Sequence, residues 1–243
     1  MVNLAACLAV ALPLYSWPSA GVWDPTYHII KSNPNTTFNV IVNPDSGPGS
    51  YPLDSEYVTG VAKLNSYPNV NTYGYLRTDW AKIPLSTIQS EVTTYSKWAT
   101  YKAKDIHLDG IFVDEATDKV ADLTYMKNLS AIVKKTMPKN QAKIWTNPGC
   151  AVDKSFYDYA DTITAFESDY SDWQDHGSTQ IKQALRAKSN VMILNYSGDS
   201  KAIAKAAQTL TKAGYYSALL MSNDDYQTYN TAWATFASSV DTN

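Results

Sequence analysis

The sequence predicts an α/β protein built as a single (β/α)8 barrel, or TIM barrel, over residues 1–243. Short apolar runs alternate with helical patterns along the whole chain, and we count eight such pairs. This alternation implies right-handed βαβ units and a parallel sheet. The length of 243 residues also matches the usual size of one such barrel. An open doubly wound sheet is the alternative, but it would need a glycine-rich loop after the first strand, where residues 15–18 read YSWP.

The predicted strands are short runs of apolar and β-branched residues that end in polar or turn-forming residues. The run FNVIVNP ends in Asn-Pro, and DGIFVDEA is apolar up to its two carboxylates. The eight predicted strands are residues 10–15, 38–44, 71–80, 109–116, 143–149, 162–168, 190–197 and 215–222.

The predicted helices follow these strands. Asp24 is the expected cap of the first helix, with Pro25 in the first helical position. Residues 84–102 repeat apolar side chains at three- to four-residue spacing, and residues 122–138 carry basic side chains in the last turn. The other predicted helices are residues 54–68, 153–160, 178–188, 200–213 and 224–240.

The N-terminal segment resembles a signal peptide. Residues 2–14 are apolar, but no basic residue precedes them, and the run is too short to cross a bilayer. We therefore expect this segment to contribute the first strand, with any signal or anchor upstream and no integral membrane span in the chain. N-glycosylation sequons at Asn35, Asn128 and Asn195 favour a secreted or cell-wall location.

The composition favours a carbohydrate partner. The chain has 18 Tyr and 7 Trp but only 5 Phe. Tyr and Trp combine an apolar ring face with a polar tip, which suits the C–H faces and hydroxyls of sugars. The net charge of −3 leaves no basic excess to neutralise phosphates, which argues against a nucleic-acid partner. We expect a polysaccharide partner and a monomeric chain.

Carboxylates at the predicted strand ends are the strongest functional signal. Catalytic groups of (β/α)8 barrels lie at the C-terminal ends of strands. The fourth strand ends in Asp114 and Glu115, and the sixth ends in Glu167. One intervening strand separates them, so carboxylates can face each other across the mouth. Glycoside hydrolysis needs such a pair, and the distance between its members decides between retention and inversion.

Side-chain alternation separates the tandem carboxylates. Successive strand residues point to opposite faces, so one of Asp114 and Glu115 should face the mouth while the other leans toward a neighbouring strand. On the sixth strand, Glu167 shares its parity with Ala165 and Ile163. A helix cap or a salt bridge is the structural alternative for these carboxylates.

Other chemistries have weaker support. No HxH or HExxH pattern occurs, which disfavours a zinc hydrolase, and no GxSxG elbow is present. Oxygen ligands from Asp45, Asp114 and Glu115 could hold Mg²⁺ or Ca²⁺, so a metal-dependent hydrolase stays an alternative. We expect no metal and no cofactor. The histidines lie away from the predicted strand ends, at His28, His107 and His176.

The two cysteines are not expected to pair. Cys7 precedes the first predicted strand and Cys150 follows the fifth, which should put them at opposite ends of the barrel. Two free thiols and one bridge are both compatible with the sequence.

Three motifs carry a family resemblance. GIFVDEA, together with PLYSWPSAG and IWTNPG, resembles the spherulin-4 family of fungal and slime-mould proteins over nearly the whole chain. The resemblance is to members that hydrolyse galactosaminogalactan, an exopolysaccharide of mould biofilms. It implies a (β/α)8 barrel, no metal requirement and endo-cleavage of α-1,4-linked N-acetylgalactosamine. The acidic residues of the family fall on Asp114, Glu115 and Glu167. Ser16-Trp17 departs from the expected Tyr-Tyr or Ile-Tyr pair.

The sequence thus predicts a retaining, endo-acting glycoside hydrolase. Asp114 is the expected nucleophile, Glu167 the general acid/base and Glu115 a supporting carboxylate. A non-catalytic carbohydrate-binding or spore-coat barrel is the alternative. The candidate sugar contacts are polar and aromatic residues of the strand ends and of the loops just beyond them, namely Tyr15, Trp17, Asn43, Tyr75, Asn147, Tyr170, Trp173 and Tyr196.

Overall fold

The computed structural model describes residues 8–240 as a closed barrel of eight parallel strands. Neighbours in sequence pair throughout, and the last strand closes on the first through Ala9 opposite Ser217 and Val10 opposite Ala218. This confirms the predicted fold. The strands are β1 (Ala9–Leu14), β2 (Phe38–Val42), β3 (Val70–Arg77), β4 (Gly110–Asp114), β5 (Lys143–Thr146), β6 (Thr162–Asp169), β7 (Ser189–Leu194) and β8 (Ser217–Leu220).

The helices form the outer layer of the barrel. A 3-10 turn, Lys97–Thr100, extends the third helix, and another, Val120–Asp122, precedes the fourth. The α-helices are α1 (Asp24–Ser32), α2 (Ser55–Asn65), α3 (Leu85–Ser96), α4 (Leu123–Thr136), α5 (Tyr170–Asp172), α6 (Ser178–Gln180), α7 (Ser200–Ala213) and α8 (Thr231–Val240).

The outer layer is irregular between β5 and β7, where two predicted helices are wrong in extent. Residues 153–160 contain only a 3-10 helix, Lys154–Asp158. The predicted helix 178–188 splits into α6 and a 3-10 helix, Gln183–Lys188, because the buried Ile181 between them has an extended backbone. Short helical pieces therefore cover this side of the barrel.

The last predicted helix, 224–240, begins later than expected. Residues 221–230 form a loop, in which the Asp225 carboxylate accepts hydrogen bonds from the Gln227 amide and the Thr228 hydroxyl at 2.8 and 2.9 Å. Such side-chain bonds compete with helix formation. Asn230 then accepts from the Trp233 amide at 3.1 Å and caps α8.

The first helix is also offset by one residue from its prediction. Asp24 is the first residue of α1 and Trp23 is its cap, so the predicted aspartate cap is wrong, although Pro25 lies in the first turn as expected. Most strand bounds differ from the predictions by one to three residues. Among residues 8–240, no helix is both long and apolar enough to cross a membrane. Cys7 lies outside the described residues, so the prediction about its pairing stays a prediction.

Aromatic side chains fill the barrel interior below the mouth. The ring of Trp145 meets those of Tyr73 and Phe112 edge-on at centroid distances of 5.5 and 5.0 Å. Its indole N–H donates to the Thr164 hydroxyl at 2.8 Å. Edge-to-face rings and a satisfied indole make a well-defined core. This layer also identifies the inward-facing positions of β3 to β6, on which the site above it is built.

Candidate active site

Asp114 ends β4 and accepts two hydrogen bonds at the mouth of the barrel. The hydroxyl of Tyr75, on β3, donates to Oδ2 at 2.6 Å. The side-chain amide of Asn147, just after β5, donates to Oδ1 at 2.9 Å. Because β3 and β5 both pair with β4, the parallel register fixes these partners around the carboxylate.

Glu167 on β6 shares its amide donor with Asp114. Nδ2 of Asn147 donates to Oε2 of Glu167 at 2.6 Å, and the hydroxyl of Tyr226 donates to Oε1 at 2.6 Å. The two carboxylates thus bind one nitrogen. The distance between Asp114 Oδ1 and Glu167 Oε2 is therefore at most the sum of their two hydrogen-bond distances to Asn147 Nδ2, which is about 5.5 Å.

The loop after β5 orients the shared amide. Oδ1 of Asn147 accepts from the Gly149 amide at 3.1 Å, so the oxygen turns toward the loop and Nδ2 toward the carboxylates. Gly149 has a φ of 70°, a left-handed conformation that a glycine adopts without strain. Its carbonyl accepts from the Glu167 backbone amide at 2.9 Å, which ties the loop to β6.

A β-bulge in β6 turns Glu167 into the mouth. Thr164 pairs with Asn190 and Phe166 with Val191, which leaves Ala165 as an extra residue. A bulge shifts the alternation of side chains by one position. Glu167 therefore shares the inward face with Thr164, and Phe166 packs outward against Trp173 at 5.0 Å. The predicted shared parity of Glu167 with Ile163 is wrong for this reason.

Glu115 turns away from Asp114, as the alternation predicted. Its backbone has a φ of 48°, and Oε2 accepts from Arg77 Nε at 2.7 Å. Arg77 also lies 3.5 Å from Asp79. Glu115 is therefore part of a half-exposed ion-pair cluster on the rim, beside the mouth.

Burial dominates the electrostatics of Glu167 and of the tyrosines around it. Burial raises the pKa of the Glu167 carboxyl, and the Asp114 carboxylate acts in the same direction against the hydrogen bonds from Tyr226 and Asn147. Burial, followed by the nearby carboxylates, also raises the pKa values of Tyr15, Tyr75 and Tyr226. The three phenols therefore keep their protons at neutral pH, and Tyr75 and Tyr226 act as hydrogen-bond donors.

The three tyrosines form one aromatic cluster around the carboxylates. The ring of Tyr15 meets those of Tyr75 and Tyr226 edge-on, with centroids 5.5 and 5.6 Å apart. The backbone amide of Tyr15 also donates to the Tyr226 carbonyl at 3.2 Å. The end of β1 and the loop after β8 are thereby joined above the carboxylate pair.

Comparison with known proteins identifies the family of this chain. The family model described as spherulation-specific family 4 matches residues 9–240. The chain belongs to the spherulin-4 family. Spherulin-4 of Physarum polycephalum is 27% identical over 180 residues, which are 74% of this chain and 51% of that protein. The match therefore spans about half the length of this relative.

Solved structures share the barrel. The crystal structure of Aspergillus clavatus Sph3 in complex with GalNAc has a TM-score of 0.88 and 26% identity, and the match covers 97% of this chain and 98% of that chain. A chitinase of Chromobacterium violaceum has a TM-score of 0.60 at 14% identity, covering 96% and 99% of the two chains. The GH18 chitinase ChiB of Flavobacterium johnsoniae has a TM-score of 0.57 at 12% identity, and the match covers 96% of this chain and 94% of that chain. The two chitinases show the fold alone.

In this spherulin-4 family member, five of the predicted site residues come together. They share the hydrogen bonds and ring contacts described above and are Tyr15, Tyr75, Asp114, Asn147 and Glu167. Trp17 instead lies on the rim, 46% exposed, and donates to Glu56 at 2.5 Å. Asn43 follows β2, and its buried Oδ1 makes no hydrogen bond with a residue that the structure describes.

Three predicted sugar contacts lie on the outer side of the barrel. Tyr170 and Tyr196 pack on each other at 4.4 Å, and Trp173 packs on Phe166 and Tyr215. Together Tyr170, Trp173 and Tyr196 line a groove of about 480 Å³ against α7. Their nearness to Glu167 in sequence was misleading, because the chain enters the helical outer layer at Tyr170, directly after β6. This groove is separate from the carboxylate pair.

Sequence reasoning missed Tyr226. It lies in the loop after β8, within a segment that the pattern predicted as helix. The Asp-Asp-Tyr-Gln-Thr run at 224–228, rich in turn-forming residues, is the signal that could have marked a loop.

The described residues offer no ready metal centre. Among residues 8–240, no group of three or more His, Cys, Asp or Glu side chains is arranged to hold a metal ion. Asp114 and Glu115, two of the three predicted oxygen ligands, bind Tyr75 and Arg77, respectively.

Proposed function

We propose that this chain is a retaining glycoside hydrolase that cleaves α-1,4-linked N-acetylgalactosamine within galactosaminogalactan and acts inside the polymer. The observation that carries the proposal is the pair Asp114 and Glu167 on one amide nitrogen, with facing oxygens within about 5.5 Å. Retaining glycosidases hold their two carboxyl groups about 5–5.5 Å apart, and inverting ones hold them about 6.5–9.5 Å apart.

The electrostatics support distinct roles for the two carboxylates. Glu167 is the general acid, because burial raises its pKa and favours the protonated form that the leaving oxygen needs. Asp114 is the nucleophile, and the hydrogen bonds from Tyr75 and Asn147 orient its carboxylate. Attack by Asp114 on the anomeric carbon and proton transfer from Glu167 release the first product. Glu167 then takes a proton from water, which hydrolyses the glycosyl–enzyme ester.

Glu115 supports this chemistry from the rim. Its ion pair with Arg77 fixes the end of β4, and the Thr78 hydroxyl donates to the Asp114 and Glu115 carbonyls at 3.1 and 2.8 Å. The backbone that delivers Asp114 is therefore tied to the loop after β3. Positioning of a reacting group to within fractions of an ångström has large effects on rate.

The similarity to Sph3 supports the choice of sugar. That protein was crystallised with GalNAc, and its barrel superimposes on nearly the whole chain. The tyrosines around the carboxylates are compatible with a carbohydrate substrate, because each combines an apolar ring face with a polar tip. We also propose a secreted or cell-wall location, because the sequon asparagines Asn35, Asn128 and Asn195 are all exposed. A mass shift after deglycosylation of the native protein would test it.

The decisive experiment is incubation with purified galactosaminogalactan, followed by mass spectrometry of the products. Internal cleavage gives a ladder of oligosaccharides, and NMR of the first products gives their anomeric configuration. Asp114→Asn and Glu167→Gln should each lower the rate at least about 100-fold. Asp118→Asn, an exposed carboxylate in the loop after β4, is the matched control and should keep wild-type activity.

Several outcomes would contradict the proposal. Inversion of the anomeric configuration would exclude Asp114 as the nucleophile. Wild-type rates in both carboxylate variants would exclude the site. Binding of the polymer without new reducing ends would identify a non-catalytic carbohydrate-binding barrel. Loss of activity in EDTA, restored by Mg²⁺ or Ca²⁺, would identify a metal-dependent hydrolase.

A further inference from the structure

The large exposed apolar side chains of the described residues lie on one face of the barrel. Scattered exposed apolar residues are normal in soluble proteins, but their confinement to one end is not. Each of these six side chains lies between the C-terminal end of a strand and the α-helix that follows it, on the face that carries the carboxylate pair. They are Trp17, Val22, Tyr51, Trp80, Val120 and Tyr229.

These side chains also occupy neighbouring loops. Tyr229 lies in the loop after β8, Trp17 after β1, Tyr51 after β2 and Trp80 after β3. The strand order of the closed barrel makes these loops consecutive around the rim. Adjacent strands lie about 4.8 Å apart, so the arc extends over roughly 15 Å at the barrel wall, which is more than one sugar ring can cover.

Trp80 is held outward by unusual backbone. Asp79, Trp80 and Ala81 have φ values of 45°, 51° and 67°. These are consecutive left-handed backbone conformations, which residues other than glycine rarely adopt. The Trp80 amide donates to the Glu115 carbonyl at 2.8 Å, which ties this turn to the end of β4. Trp80 is 49% exposed, and Lys82 Nζ lies over its ring, 5.4 Å from the ring centroid. Strained backbone of this kind concentrates at functional positions.

Trp17 is a second fixed ring. Its indole N–H donates to Glu56 on α2 at 2.5 Å, and its ring meets Tyr57 edge-on at 4.9 Å. The indole is therefore anchored at its polar edge, although 46% of the residue is exposed. Tyr229 belongs to the loop that brings Tyr226 onto Glu167, so the arc continues directly into the carboxylate site.

We propose that Tyr229, Trp17, Tyr51 and Trp80 form an aromatic track that binds several consecutive sugar rings of a polysaccharide chain. This inference deepens the proposed function and rests on it. Anchored aromatic rings bind the C–H faces of sugars with little loss of side-chain entropy. A track on one side of the mouth positions the polysaccharide lengthwise over the carboxylates, so that cleavage occurs within the polymer.

The test measures polymer binding in a background that cannot cleave. In Glu167→Gln, affinity electrophoresis through gels containing purified galactosaminogalactan gives a dissociation constant. Adding Trp17→Ala or Trp80→Ala should weaken binding about tenfold, which corresponds to about 1.4 kcal/mol. Trp80→Phe should restore most of the loss, because it keeps a ring. Both alanine variants should lose less affinity for an N-acetylgalactosamine disaccharide than for the polymer.

Tyr159→Ala is the matched control. Tyr159 is a partly exposed tyrosine between the 3-10 helix Lys154–Asp158 and the start of β6, on the opposite face of the barrel, and its loss should leave polymer binding unchanged. The track proposal is wrong if Trp17→Ala and Trp80→Ala bind the polymer within twofold of this control while their circular dichroism spectra match the wild type. Polymer binding that depends on both tryptophans without cleavage by the wild type would refute the proposed hydrolysis and keep the track. A wild-type chain that neither binds nor cleaves the polymer would refute both.

Discussion

Replacing Tyr226 by phenylalanine is expected to move the alkaline limb of the pH–rate profile upward. The hydroxyl of Tyr226 donates to Glu167 Oε1 at 2.6 Å and favours the ionised carboxylate. Removing it leaves burial and the Asp114 charge to act against fewer hydrogen bonds, so the pKa of Glu167 rises further. A general acid acts in its protonated form, so activity should persist to higher pH.

The size of the shift follows from the difference between two hydrogen bonds. A bond to a charged group contributes roughly 1.5–3 kcal/mol and a neutral one roughly 0.5–1.5 kcal/mol. Because Tyr226 can donate to either form of Glu167, only the difference between the midpoints of these ranges counts, which is about 1.3 kcal/mol. Since one pKa unit corresponds to 1.36 kcal/mol, the limb should move by about one pH unit.

The assay is kcat/KM for an oligosaccharide substrate as a function of pH, because this ratio reports the pKa values of the free enzyme. Tyr125→Phe is the matched control, since its hydroxyl donates to the Ile83 carbonyl at 2.8 Å instead of a carboxylate. The reasoning is wrong if the alkaline limb of Tyr226→Phe stays with that of the control or moves to lower pH.

Three further changes test the same network. Asn147→Asp places a third carboxylate between Asp114 and Glu167, so we expect kcat to fall at least about 100-fold and the midpoint of thermal unfolding at neutral pH to drop. Glu167→Gln should flatten the pH dependence of the free energy of unfolding measured in urea. The reason is that the pKa of Glu167 is raised in the folded protein, so its contribution to stability is complete below the ordinary value near 4.5 and is lost as the pH rises through the folded-state pKa. Deletion of Ala165 should give an unbroken alternation in which Thr164 stays inward, Phe166 outward and Glu167 inward, so a folded variant should keep its activity, and loss of activity in a folded variant would contradict this account of the bulge.

Much of the barrel was predictable because its signals are local and repeated. Each strand is an apolar run followed by polar residues, and the parallel arrangement follows from the regular alternation with helices. The short pieces between β5 and β7 were not predictable, because the extended backbone of the buried Ile181 is set by packing and not by local propensity. The loop before α8 was hidden for a similar reason, since its turn depends on side-chain bonds of Asp225.

The candidate site was predictable as a set of strand ends but not as a network. Asp114 and Glu167 follow from the rule that the C-terminal ends of strands carry the chemistry. The bulge at Ala165 cannot be read from alternation, since the sequence around it fits an unbroken strand equally well. The contact of Tyr226 with Glu167 joins residues 59 positions apart and depends on a loop whose shape the pattern concealed.

The choice of an amide between the carboxylates matters for the proposed chemistry. A lysine or arginine in place of Asn147 would also hold Asp114 and Glu167 together, but its positive charge would lower the pKa of Glu167. Asn147 bridges them with a neutral N–H group, and its orientation is fixed by the Gly149 amide. Burial can then keep the pKa of Glu167 raised while the two carboxylates stay within about 5.5 Å. A retaining glycosidase needs both conditions at once, a close pair and a protonated acid, and a neutral bridging donor meets them together.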